Sequence, residues 1–157
     1  MASLLEKINL DFQQALKTKN SAKTSSLRLL KAALQNRAIE LRAQKKELNE
    51  EDALMIVNRE VKKIKDSITI YQQAKRSDLA NKEKSDLVVL QDYLPAQLSV
   101  DELEKIVAQT INKIGATGIV DFGKVMKEVM PQVIGRADGQ QIKQIVQRRL
   151  TPSLEKS

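Results

Sequence analysis

Leu54-Met55-Ile56-Val57-Asn58-Arg59-Glu60-Val61-Lys62-Lys63-Ile64-Lys65-Asp66-Ser67-Ile68-Thr69-Ile70-Tyr71 is the stretch that decides the fold class. Within it Leu54, Val57, Val61, Ile64, Ile68 and Tyr71 recur at steps of three and four in turn. That is the period of one helix face, not the alternation of a strand. So regular a stripe forms an a/d seam for packing against another helix. The seam is read as the inside of a helical hairpin or bundle in preference to an intermolecular coiled coil. Asn49-Glu50-Glu51-Asp52 places acids at the positive end of the helix dipole, so the helix is expected from there to about Ala74.

Working outward, the same period continues on both sides. Ser3 with Glu6 has the form of a capping box, and Leu5, Ile8, Phe12 and Ala15-Leu16 follow at helical spacing to about Lys19. Asn20 and Ser21 interrupt, and Leu27, Leu30, Leu34, Ala38 and Leu41 then form one stripe on a second helix that frays into Gln44-Lys45-Lys46. C-terminal to the deciding stretch, Ser77 or Asp78 is expected to cap a helix carrying Leu79, Leu87, Leu90 and Leu94, stopped at Pro95. Beyond that proline, Ser99 with Glu102 makes a second capping box. Leu103, Ile106, Val107, Thr110, Ile111 and Ile114 then give a broad apolar face ending at Gly115 and Gly118. Two more short helices are expected: one capped by Asp121 and ended by Pro131, the other capped by Asp138 and running through Ile142, Ile145, Val146 and Leu150.

The expectation is an all-α protein. An N-terminal subdomain of about four helices occupies residues 1–95, and a small three-helix C-terminal subdomain occupies residues 96–157, with the whole chain expected to be ordered and no low-complexity tail beyond the short end from Thr151 to Ser157. Composition agrees: of 157 residues, 41% are hydrophobic and 30% charged, enough for a core and a wet surface. Two Phe, two Tyr and no Trp argue against a sheet protein. No stretch approaches the roughly 20 apolar residues of a membrane span. Met1-Ala2-Ser3-Leu4-Leu5-Glu6 meets a charge too soon for a signal peptide, which makes a cytoplasmic location the default.

The chain holds neither cysteine nor histidine. Thiolate nucleophiles, sulfur-ligated zinc and the commonest general base and metal ligand are thereby excluded. No catalytic residue, cofactor or metal is assigned. Gly135-Arg136-Ala137-Asp138-Gly139 lacks the spacing and the preceding strand of a nucleotide-binding loop, so Gly135 is read as permitting a chain reversal. Glu83 with Asp86, and the Glu50-Glu51-Asp52 cluster, are read as serving dipole and solubility.

Net charge is +7 and the pI about 9.6. Such a balance suits a polyanionic partner, because cations that neutralise phosphates release counterions; it also suits mere solubility. On a helical wheel Arg28, Lys31, Gln35, Arg42 and Lys46 share one flank of the second helix, while Glu40 and Glu47 fall on another. This ridge can track a phosphate backbone without reading bases; the alternative is that its long side chains cover the margin of the apolar stripe. Arg59, Lys62 and Lys63 lie opposite the seam with Asp66 among them, where a face of local ion pairs competes with binding. The scarcity of aromatic platforms favours recognition of shape and phosphate over splayed bases.

Ser26-Leu27-Arg28-Leu29-Leu30-Lys31-Ala32-Ala33-Leu34-Gln35-Asn36, Asp66-Ser67-Ile68-Thr69-Ile70-Tyr71, Arg76-Ser77-Asp78-Leu79 and Tyr93-Leu94-Pro95-Ala96-Gln97-Leu98 resemble the YqeY proteins, as do Gly123-Lys124-Val125-Met126 and Gly135-Arg136-Ala137-Asp138-Gly139. The ordered set covers the chain from about residue 3 to residue 150. Lys75 stands where many members carry glycine, which argues against a special backbone turn there. YqeY proteins are similar to the C-terminal tail of GatB, a subunit of the glutamine-dependent aspartyl/glutamyl-tRNA amidotransferase. The resemblance implies a module that holds tRNA or another structured RNA and is non-catalytic by itself. The carbon-nitrogen ligase label would be inherited without the active site, and the protein partner would be an amidotransferase or other tRNA enzyme. It adds Lys124, Lys127, Arg136 and Lys143 as a second contact surface beside Arg28, Lys31, Arg42, Lys46, Arg59, Lys62 and Lys63. The rival readings are an accessory component of amide transfer with glutamine as donor, and a helical protein-interaction scaffold without nucleic acid.

Overall fold

A computed structural model describes residues 3–151 of the chain. The expectations for the ends fall, at residues 1–2 and 152–157, outside the described residues. Seven α-helices and one single-turn 3-10 helix follow in order, with no strand among the described residues: α1 Leu4–Lys17, α2 Ser21–Ala43, α3 Glu50–Gln73, α4 Ser77–Gln91, α5 Val100–Ile114, the 3-10 turn Ile119–Asp121, α6 Phe122–Val133 and α7 Gly139–Leu150. The fold is all-α. Contacts fall into two compact units, Met1–Pro95 and Ala96–Ser157.

In the first unit the helix starts are set by local polar chemistry. Ser3 Oγ accepts from the Glu6 N–H at 3.1 Å while Ser3 N–H donates to Glu6 Oε2 at 2.9 Å, a complete capping box. Asn20 and Asn49 accept from the Lys23 and Asp52 N–H groups at 3.1 and 2.8 Å. Each such cap contributes about 1 kcal/mol. At α4 the expected cap from Ser77 or Asp78 does not form. Arg76 takes the N-cap position and its guanidinium grips Asp78 instead, Nε to Oδ1 at 3.2 Å and Nη2 to Oδ2 at 3.1 Å.

The seam of α3 is covered from within the unit by α1, α2 and α4. Ile8, Leu27, Leu30, Leu34, Ala53, Ile56, Val57, Val61, Leu90 and Tyr93 form the core. Leu27, Leu30 and Val57 are fully buried, each stabilising by about 1.5–3 kcal/mol. The buried face of α3 is broader than the stripe read from the sequence. Ala53 and Ile56 are buried, whereas Leu54, Ile64 and Tyr71 are half-buried. A helix with partners on several sides needs more than a two-per-heptad stripe.

α4 stops at Gln91, before Pro95, and residues 92–94 turn through Tyr93 N–H to Leu90 C=O (3.1 Å) and Leu94 N–H to Gln91 C=O (3.0 Å). Proline disfavours helical geometry in the residue before it, which here is Leu94. The turn sends Tyr93 into the core, where its hydroxyl donates to Asp11 Oδ2 at 2.6 Å. Asp86 and Glu50 also do more than the dipole and solubility roles expected of them. Ser26 Oγ donates to Asp86 Oδ1, joining α2 to α4, and Glu50 accepts from the Leu4 N–H at 3.0 Å, joining the starts of α3 and α1.

The second unit is built from α5, α6 and α7 around Leu103, Val107, Val125, Val129, Val133, Ala137, Ile142, Ile145, Val146 and Leu150. The Ser99–Glu102 capping box forms (3.2 and 2.9 Å), and Asp138 caps α7 through the Gln140 N–H at 3.2 Å. Pro131 does not end α6: the helix runs on to Val133. Only one helical hydrogen bond is lost so near the end, and Val125, Val129 and Val133, four residues apart, are all fully buried. Asp121 sits at the start of α6 without capping it; its carboxylate accepts instead from the Thr117 N–H at 3.0 Å.

Three helix ends carry lysine in the left-handed region: Lys19, Lys45 and Lys75, at φ 55°, 58° and 57°. The turn argued against at Lys75 is therefore made. Each is followed by a bond back across the last turn, from Asn20 N–H to Ala15 C=O (3.0 Å), Lys46 N–H to Leu41 C=O (2.9 Å) and Arg76 N–H to Tyr71 C=O (2.8 Å). These six-to-one bonds satisfy orphan carbonyls and hold the lysines in a conformation that glycine adopts more easily.

Candidate nucleic-acid interface

α2 exposes Arg28 and Arg42, with Lys31 half-buried between them. Arg28 to Arg42 spans about 21 Å of helix axis at 1.5 Å per residue. Lys46 lies on the loop beyond Ala43, not on the helix itself. Beneath the N-terminal part of the ridge lies Phe12 of α1, with the Arg28 guanidinium 5.9 Å and the Lys31 ammonium 4.3 Å from its ring centre. The ring fixes two long side chains at about 0.5–1 kcal/mol each for an exposed site. Sequence reasoning assigned Phe12 only to an apolar stripe, and nothing local to its sequence could show which cations would lie over it.

Acids stay off this ridge. The α2 cation that takes carboxylates is Arg37, with Glu40 at 3.1 Å and Asp52 at 3.7 Å. Among the described residues, none of Arg28, Lys31, Arg42 and Lys46 forms an ion pair. On α3, Arg59, Lys62 and Lys63 are exposed, and Lys63 pairs with Glu60 at 3.0 Å. Its partner is one turn back, not Asp66.

In the second unit Lys124, Lys127 and Lys143 are exposed on α6 and α7. Arg136 is half-buried and serves the backbone: its Nε donates to the Ala96 carbonyl at 3.2 Å while its own carbonyl accepts from Leu98 N–H at 2.8 Å. Gln97 Nε2 adds a bond to the Gly135 carbonyl at 2.8 Å. Arg148 and Arg149 both turn onto Glu104, the latter at 2.6 Å.

Beside the ridge, Leu5, Ile8, Asn9, Lys31, Leu34, Gln35, Ala38 and Leu48 line an open, mostly apolar groove of about 290 Å³. Elsewhere the chemistry is quiet. Burial, reinforced by the bond to Asp11, pushes the Tyr93 hydroxyl well above its ordinary 10.0, which keeps it a neutral donor. The hydrogen bond from Arg76 holds the exposed Asp78 carboxyl below its usual range. Among the described residues, no group of three or more His, Cys, Asp or Glu is placed to hold a metal ion, and no helix is long and apolar enough to cross a membrane.

Fold and ridge together define an all-helical protein with a carboxylate-poor basic helix face. More particularly, the chain belongs to the YqeY family: the family model described as "Yqey-like protein" matches residues 5–150. It is also similar to "Altered inheritance of mitochondria protein 41, mitochondrial" of Pyrenophora tritici-repentis (strain Pt-1C-BFP), at 29% identity over 140 residues, which cover 85% of this chain and 73% of that protein.

Proposed function

We propose that this protein is a binding module for structured RNA, tRNA foremost, which holds its partner and leaves chemistry to another protein. The observation that carries the reading is the ridge of Arg28, Lys31, Arg42 and Lys46, basic over about 21 Å of helix and its exit loop and without carboxylate partners among the described residues. An acid-free row of cations follows phosphates by charge and fixes position without reading sequence. The family's similarity to the tail of GatB supports tRNA as the RNA, and an amidotransferase or other tRNA enzyme as the protein partner. Arg59, Lys62 and Lys63 extend the surface, and Lys124, Lys127 and Lys143 supply a second one. Arg136 contributes by holding the turn at Gly135 in shape.

The two compact units serve in this reading as subdomains, and the working location is the cytoplasm. The scaffold alternative loses its motive, because the α3 seam that suggested it is covered inside the first unit. Titrating tRNA binding against salt tests the proposal. Affinity is expected to fall linearly on a log-log plot with a slope near −0.9 per neutralised phosphate for duplex contacts. Absence of binding at low salt, or indifference to salt, rejects it.

A further inference from the structure

Beside the ridge, the 290 Å³ groove has mainly apolar walls and carries a ridge cation on its rim. Its walls are Leu5, Ile8, Leu34, Ala38 and Leu48, contributed by α1, α2 and the loop before α3. Asn9 and Gln35 add two exposed carboxamides, each with a carbonyl acceptor and two N–H donors. Lys31 lines the groove while its ammonium rests over Phe12, 4.3 Å from the ring centre.

Size decides between occupants. The recess, at about 290 Å³, lies just under the roughly 300 Å³ at which small-molecule sites begin and would seat only one or two side chains of a partner helix. One planar heterocycle suits that volume. Apolar walls cover the faces of a base, carboxamides bond its edge as Asn and Gln do elsewhere, and a lysine meets its phosphate. The charge of the rim supplies the complementarity: an anion tethered to a flat, edge-polar ring.

We propose that the groove between α1 and α2 accepts a single unpaired nucleotide of the bound RNA, its base between Leu5, Ala38 and Leu48 over a floor of Ile8 and Leu34, its edge on Asn9 and Gln35, and its phosphate on Lys31. The inference rests on the RNA reading above and adds to it a preference for RNA with an unpaired nucleotide next to a duplex. It changes the expectation of pure shape-and-phosphate recognition, since aliphatic walls replace the aromatic platform that the sequence lacks.

The test compares two probes on the full chain at one salt concentration: a blunt RNA hairpin closed by a tight loop, and the same stem with a short unpaired 3′ extension. The extended hairpin is expected to bind about tenfold tighter, in line with the worth of one sequestered base. Gln35→Ala and the groove-filling Ala38→Leu should each remove most of that ratio, with thermal melts showing both variants folded. Equal affinity for the two hairpins, with salt-dependent binding of both, overturns the groove and leaves the RNA reading standing. A ratio that survives in both variants also overturns the groove. Binding of neither hairpin overturns the RNA reading and this inference with it.

Discussion

The ridge cations along α2 and its exit loop and the arginines of α7 carry the same charge and are employed differently. Arg28 and Lys31 lie over Phe12, and Arg42 and Lys46 continue their line with no carboxylate on any of the four among the described residues. Arg148 and Arg149 are both drawn onto Glu104, whose side chain is only 17% exposed. The net charge of +7 counts all of them alike. Which cations are available to a polyanion depends on acids brought near by folding, and a phosphate offered to Arg148 or Arg149 competes with a carboxylate already there.

The end of α5 also differs from three helix ends of the first unit. α5 closes on Gly115 at φ 68°, with the Ala116 N–H bonded to the Ile111 carbonyl at 3.1 Å. α1, α2 and α3 close through the same kind of bond with lysine in the left-handed position. Lysine is strained there by about 1 kcal/mol relative to glycine, while its charge offsets part of that beside the negative end of the helix dipole.

The contrast in cations gives the largest expected effect. Replacing Arg28, Lys31, Arg42 and Lys46 together by alanine should weaken tRNA binding at low salt by about a hundredfold, whereas Arg148→Ala with Arg149→Ala should change it by about twofold or less. Filter binding of both variants checks this; equal losses would break the distinction between open and neutralised cations.

Next comes the pin at the end of α4. Tyr93→Phe removes the donor to Asp11 and should destabilise by about 2 kcal/mol, read by urea melts. Because the folded pKa of Tyr93 is raised above its ordinary 10.0, its contribution is fully present below pH 10 and is lost as pH rises above that value towards the folded pKa. The gap in stability between wild type and Tyr93→Phe should therefore narrow above pH 10.

Smaller effects test the helix ends. Gly115→Ala should cost about 1 kcal/mol from backbone strain alone, since an added Cβ meets nothing within 4 Å. Lys75→Gly should stabilise by a few tenths to about 1 kcal/mol, strain relief being offset by the greater freedom of glycine in the unfolded chain. Glu104→Gln is expected to have the least consequence, about 1 kcal/mol or less in a thermal melt, because its partners are 68% and 38% exposed.

What was legible in the sequence was local. Ser3 with Glu6, Ser99 with Glu102 and Asp138 mark helix starts because a cap is a bond between residues two or three apart. The stripe in α3 located a buried face for the same reason. Bonds between distant residues were not legible: Ser26 with Asp86, Tyr93 with Asp11 and Arg149 with Glu104 are 60, 82 and 45 positions apart. Pro131 misled because burial of Val129 and Val133 outweighs one lost hydrogen bond. Of the ridge, the flank was readable from helical spacing, but Phe12 beneath it and the groove beside it depend on how α1 packs on α2.

The most direct test is the salt dependence of tRNA affinity, measured in parallel on wild type and on the variant lacking Arg28, Lys31, Arg42 and Lys46. If these four neutralise phosphates, the log-log slope of the variant should be shallower by about 3 to 4. An unchanged slope would contradict the assignment of RNA contact to α2.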